Sequence, residues 1–155
     1  CIAGQLALMP ASVAILAPGV NAFRRLRKNL TEPVFNSWGY NTRSAALRIP
    51  CSDAHNRRIE YRLAGADANP YLVAATVLTG MLYGLENTDD EDLPEPQHDR
   101  PELPLFQQEA IETFARCQYL TDSLGDAFSE QWVACKLSEL DWFERIVTRE
   151  ESQLA

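Results

Sequence analysis

Residues 43–62 read RSAALRIPCSDAHNRRIEYR, and the fold turns on this stretch. Five arginines (Arg43, Arg48, Arg57, Arg58 and Arg62) surround the carboxylate of Glu60. In IEYRL, Ile59, Tyr61 and Leu63 alternate with charged residues at the period of a strand. Alternate side chains leave a strand on one face, so the spacing predicts Arg58, Glu60 and Arg62 on the same side. SAALRI carries a similar pattern, with Arg48 sharing a face with Ser44 and Ala46. Between them, Pro50 to Asn56 (PCSDAHN) is polar and turn-rich, which predicts an antiparallel pair joined by a medium loop. The resulting sheet face holds several guanidinium groups and one acid. Guanidinium forks match phosphate and carboxylate. A carboxylate beside a phosphate site is what a hard cation such as Mg2+ requires. A solvated strand face with ordinary ion pairs competes with this reading, and spacing alone tips slightly toward it.

The chain of 155 residues is long enough for one domain with a real core. With 46% apolar and 23% charged residues it has the composition of a globular protein and not of a disordered one. The formal net charge of −8 argues against non-specific nucleic-acid binding. Its distribution says more. From Val20 to Arg62 nine Lys or Arg face three acids, a local balance of +6. From Glu86 to Glu102 eight acids face Arg100 alone, a balance of −7. A basic segment inside an acidic protein points to a small anionic ligand more than to a polymer. Cys1, Cys51, Cys117 and Cys135 show neither CxxC pairing nor zinc-ligand spacing, so free thiols in a reducing cytoplasm are expected. No segment is long and apolar enough to span a bilayer, and no basic n-region marks a signal peptide.

Residues 2–17 are apolar with small residues interspersed, and Pro10 is expected to kink or split the helix they suggest. This apolar run starts without a capping signal, and the chain is read as a piece of something longer. VNAFRRLRKNLTEPV is the most basic run, irregular or briefly helical, and a solvated surface is its simpler reading. Trp38 and Tyr40 sit on one side of a short strand leading to Arg43, an arrangement more typical of core packing than of a ligand wall. DANPYLVAATVLTGMLYGLEN is the clearest helix, with Asn69 as N-cap, Pro70 in the first position and Asn87 at the end. Its apolar residues cover nearly every angle, so the 70–86 helix is expected to be buried and to back the arginine-bearing sheet. The acidic, proline-rich run TDDEDLPEPQHDRPELP reads as a surface loop, in which His98 has no partner at metal-ligand spacing. His55, in the arginine loop, is equally unsupported as a ligand. Beyond Gln107 the pattern is helical again, around Ile111 and Phe114, then Leu120 to Phe128, then a final helix that Ser129 can cap. The fold class expected is α+β, a small antiparallel sheet backed by helices.

Four strings, VNAFRRL, EPV followed by WGYNTRSAALRIP, RRIEYRL and DANPYLVAATVLTGML, fall in the order and spacing of the glutamine synthetase family. The chain resembles the C-terminal part of that family's catalytic domain over essentially its whole length, 1–155. The resemblance implies a ligase that joins glutamate to an amine with ATP, through a γ-glutamyl phosphate. It implies that Arg25 and Arg62 hold glutamate. Arg43, Arg48 and Arg58 would contact ATP phosphates or the phosphoryl group in transfer, Arg43 with a catalytic part. Glu60 would ligate Mg2+ or Mn2+. It implies ATP, glutamate and ammonia or an amine as partners, a cytoplasmic homo-oligomer, and no nucleic acid or membrane. Arginine and a divalent cation are what a phosphoryl transfer needs around its equatorial oxygens.

The sequence also departs from the family. Its N-terminal domain, its other metal ligands and its glycine-rich ATP motif have no counterpart in these residues. Thr31 stands where the family places an ammonium-site glutamate, with Glu32 beside it. The loop between Pro50 and Arg57 is one residue short, and the ATP-contacting lysine has no clear match. WGYNTRS resembles relatives that ligate glutamate to putrescine or another polyamine, which makes a polyamine ligase the alternative to a glutamate–ammonia ligase. A catalytically inactive homologue serving as a binding or assembly module is the alternative of another class. A phosphate-binding domain of unrelated chemistry would require four accidental string matches. The chain taken alone is expected to be inactive.

Overall fold

Ile2–Leu16 forms one continuous helix, α1, at the centre of the molecule. Pro10 does not split it. A proline in a helix removes the N–H that would reach the carbonyl four residues back, here that of Leu6. Asn36 supplies the missing donor, its Nδ2 lying 2.9 Å from the Leu6 oxygen. Apolar on all sides, α1 is buried along most of its length: Met9 and Ala11 through Ala17 are at most 4% exposed, while Ala7 alone in the helix is exposed. In this computed structural model residues 1–28, 33–89, 93–96, 101–147 and 149 are described. Thr31, Glu32, His98 and much of the acidic run lie outside them.

After a brief helix, α2 (Val20–Arg25), three short strands follow: β1 (Trp38–Tyr40), β2 (Leu47–Ile49) and β3 (Glu60–Tyr61). They form one sheet in the order β1-β2-β3. The β2–β3 pair is antiparallel, as the pattern predicts, with Arg48 opposite Glu60. The β1–β2 pair is parallel, with Trp38 opposite Leu47, so the sheet is mixed and not wholly antiparallel. A parallel return normally needs a long crossover. Strands of three residues are short enough for the 41–46 loop to carry the chain back instead. Asn41 starts the return in the left-handed region (φ 48°), a conformation asparagine tolerates well. Thr42 folds over Gly39 so closely that a Cβ there would lie 2.7 Å from its methyl group.

The third helix, α3 (Pro70–Asn87), begins as expected: Asn69 caps it by accepting from the backbone N–H of Tyr71 and of Leu72. Its packing differs from expectation. It lies on α1 and not behind the sheet, and of its residues only Thr76, Thr79, Gly80 and Gly84 are buried. The reason is the depth of the contact. A Cβ on Gly4 of α1 would come within 2.4 Å of the Gly80 oxygen, so the two backbones touch across small residues. Gln5 Nε2 donates to the Val77 carbonyl at 2.6 Å across the same seam. The inner side of the sheet is occupied instead by the core of α1, with Trp38, Leu47 and Leu63 in one cluster with it.

Three helices close the fold: α4 (Gln107–Arg116), α5 (Gln118–Leu124) and α6 (Asp126–Glu144). Ser129 does not cap the last one. Gly125, at φ 92°, makes the turn and is itself the N-cap, and Ser129 sits inside the helix donating to the Thr121 carbonyl at 3.1 Å. Among the described residues no helix is long and apolar enough to cross a membrane.

Candidate functional site

Pairing Arg48 with Glu60 across β2 and β3 puts both side chains on the sheet face opposite the core. The guanidinium Nη1 of Arg48 donates to Glu60 Oε2 at 2.9 Å. Its Nη2 donates to Asn41 Oδ1, also at 2.9 Å, so the reversed Asn41 fixes the fork from the far side. Arg62 closes the group, with Nε 3.7 Å from Glu60 Oε1 and Nη1 donating to the Ala45 carbonyl at 3.3 Å. Two partly buried guanidiniums therefore share one carboxylate, leaving the patch with positive charge to spare. Gly39, opposite Arg48 on β1, contributes no side chain to this face. Tyr61 leaves the strand on the other side, where burial pushes its hydroxyl well above the usual range and keeps it protonated.

Arg58 is not on the strand. It belongs to the exposed approach to β3 and donates from Nη1 to the Asn56 carbonyl at 3.1 Å. The shared face predicted for Arg58, Glu60 and Arg62 thus holds for the last two, because pairing begins only at Glu60. Arg43 is exposed on the 41–46 loop. Cys51 and His55 are exposed as well, the latter inside a single 3-10 turn (Ala54–Asn56) capped by Asp53.

Arg25, at the end of α2, is a separate feature. Its Nη2 is buried without a hydrogen-bond partner among the described residues. It reaches the loop before α3, where a Cβ on Gly65 would lie 2.8 Å from Nη2 and 2.5 Å from Asp67 Oδ1. Gly65 is therefore the space in which a guanidinium and a carboxylate approach each other. Leaving a buried guanidinium proton unbonded is costly, and a carboxylate ligand would satisfy it. Sequence reading missed Gly65 and Asp67, and the only available signal was a glycine two residues before an acid ahead of the Asn69 cap.

Among the described residues no three His, Cys, Asp or Glu side chains gather as a metal site would need. Glu60 is already shared by two arginines. These residues do not fit a divalent metal by themselves. A cavity of about 740 Å3 involves Phe23, Leu26, Leu105 and Phe106 together with Arg24, Arg27 and Lys28, and contains none of the sheet-face residues.

The family model described as the glutamine synthetase catalytic domain matches residues 1–154. The chain is 44% identical to gamma-glutamylputrescine synthetase PuuA of Escherichia coli (strain K12), over 97% of its own length and 33% of that protein. It is 35% identical to mouse Lengsin over 90% of the chain and 26% of the relative. To the glutamine synthetase of Pyrococcus furiosus it is 34% identical, over 82% and 32% of the respective chains. The chain spans about a third of the length of the relatives it matches.

Proposed function

The chain belongs to the glutamine synthetase family, and from that premise we propose that it carries the arginine half of the active site of an ATP-dependent glutamate–amine ligase. The observation behind this reading is the sheet face on which Arg48, Glu60 and Arg62 meet, with Arg25, whose buried Nη2 has no partner among the described residues, as a second anion site. Arg25 and Arg62 hold the carboxylates of glutamate. Arg43, Arg48 and Arg58 surround the phosphates, Arg43 and Arg58 being exposed to an incoming nucleotide. A γ-carboxylate oxygen of glutamate attacks the γ-phosphorus of ATP and ADP leaves. The amine nitrogen then attacks the acyl carbon and phosphate leaves. Positive charge fixed in advance stabilises the oxygens of the phosphoryl group, and loss of one such donor typically costs roughly 10²-fold or more in rate. A divalent cation, Mg2+ or Mn2+, adds charge neutralisation when bound. Glu60 would offer it one carboxylate, and the other ligands would have to come from outside these residues.

Ammonia is the family's simplest acceptor. The higher identity to a gamma-glutamylputrescine synthetase, and Thr31 at the position of the ammonium-site glutamate, favour a polyamine instead. The full-length enzyme is proposed to work as a cytoplasmic homo-oligomer. The deciding experiment supplies the full-length protein with ATP, glutamate and either ammonium or putrescine. Product with putrescine supports the proposal, product with ammonium alone reverts the acceptor, and no ADP release with either leaves a binding or assembly module.

A further inference from the structure

The cavity of about 740 Å3 lies between α2, the segment that enters α4 and the end of α6. Small-molecule sites run from roughly 300 to 1,000 Å3, so its size suits a ligand of modest length. Phe23, Leu26, Leu105 and Phe106 give it an apolar wall, and Phe106 is 74% exposed. Phe106 is also the N-cap of α4, a position where Ser, Thr, Asp or Asn would bind the free backbone N–H groups of the first turn. No side chain caps this end, and Gln107 and Gln108, which carry two of those donors, line the cavity.

Two further observations point to an anion at this helix end. Gln107 is only 6% exposed, and neither Nε2 nor Oε1 of its side chain has a hydrogen-bond partner among the described residues. A buried amide N–H left unbonded is costly, and an acceptor entering the cavity would relieve it. The charged lining consists of Arg24, Arg27 and Lys28 against Glu102 and Glu144, three against two, a balance of +1. Lys28 is paired with Glu102, while Arg24 donates to Asn21 Oδ1 at 3.1 Å and lies over the Phe143 ring. Arg27 is exposed, and its side chain makes no hydrogen bond or ion pair among the described residues.

We propose that this cavity binds a small amphiphilic monocarboxylate. Arg27, Gln107 Nε2 and the uncapped end of α4 take the carboxylate, whose charge the helix dipole favours. Phe23, Leu26, Leu105 and Phe106 take its hydrocarbon body. A lining balance of +1 matches one negative charge and not the charge of nearly two on a phosphate monoester. The site shares no residue with the Arg48, Glu60 and Arg62 face, and the inference does not depend on the proposed reaction.

The test is calorimetric titration of the full-length protein with octanoate, and with acetate, octanol, octylammonium and octyl phosphate for comparison. Octanoate should bind roughly tenfold or more tightly than any of the other four. Arg27→Gln and Gln107→Leu should each weaken octanoate by roughly tenfold, as loss of a hydrogen bond to a charged group does, and leave octanol unchanged. Without ligand, Gln107→Leu should not lower the melting temperature, because it removes an unbonded buried amide. Phe106→Asp should raise the melting temperature by capping α4 and abolish octanoate binding by placing a negative charge at the head site. No octanoate binding at millimolar concentration overturns the proposal, as when an upstream segment of the subunit fills the cavity. Octylammonium or octyl phosphate binding as tightly as octanoate overturns it too. So does an octanoate affinity that survives both Arg27→Gln and Gln107→Leu.

Discussion

Glu60 joins two arginines that would otherwise repel each other, so its structural and chemical roles can be separated. The Glu60 carboxylate is 41% exposed and the Arg48 side chain 21%, so the pair lies at the partly solvated edge of the sheet, and glutamine can still accept from Arg48. Such pairs contribute on the order of 0–1 kcal/mol. Glu60→Gln should therefore cost the 155-residue chain no more than about 1 kcal/mol in urea denaturation. In the full-length enzyme the same change should reduce turnover by roughly 10²-fold or more and weaken the dependence on Mg2+. A variant that loses stability but keeps its activity would reassign Glu60 to structure.

Two elements are tied by single polar contacts whose worth can be measured. Pro10 leaves the Leu6 carbonyl to Asn36. Asn36→Ala should cost roughly 1–3 kcal/mol, the penalty for a buried acceptor without a donor. In a Pro10→Ala background, where a helix N–H returns to Leu6, the cost should shrink. A double-mutant cycle with no coupling would refute the exchange of donors. The second tie joins α5 to α3. Tyr119 donates to Glu86 Oε2 at 2.6 Å, which with lesser help from its surroundings pushes its hydroxyl up to about 12. A folded-state value above the ordinary one of about 10 means the native state holds this proton more tightly. The contribution is complete below pH 10 and disappears as the pH rises through 12. Melting curves should show Tyr119→Phe less stable than the parent at pH 8, with the gap closing above pH 10.

The whole molecule has a net charge of −8 but carries nine of its 14 Lys and Arg residues in the segment from Val20 to Arg62. The described residues supply Arg25, Arg48 and Arg62 in place but no metal site. The 155-residue chain alone should release no ADP from ATP with glutamate and amine. It should bind Mg·ATP at roughly millimolar strength, falling as salt is added, as expected for a few solvated ion pairs. Titration calorimetry at two ionic strengths checks both parts. Micromolar binding would mean that the nucleotide site is complete within this chain.

What the sequence determined by itself is local. The alternation in LRI and IEYRL specified that the two segments pair antiparallel, and the structure set the register of Arg48 opposite Glu60. Asn69 and Pro70 specified where α3 begins, and the four ordered strings specified the family. Each of these depends on neighbours a few residues apart, whose geometry the periods of strand and helix dictate. The parallel return of β1, the partner of α3 and the isolation of Arg58 depended instead on tertiary structure. So did the meeting of Arg25 with Gly65 and Asp67. The length of a strand sets how short a return can be, and the closest approach of two backbones goes to the face with the least side chain. At Gly4, Gly80 and Gly84 that second rule outweighed the hydrophobicity of the leucines, because the contact with α1 is made backbone to backbone. A pattern read along one element carries no record of which surface will meet it.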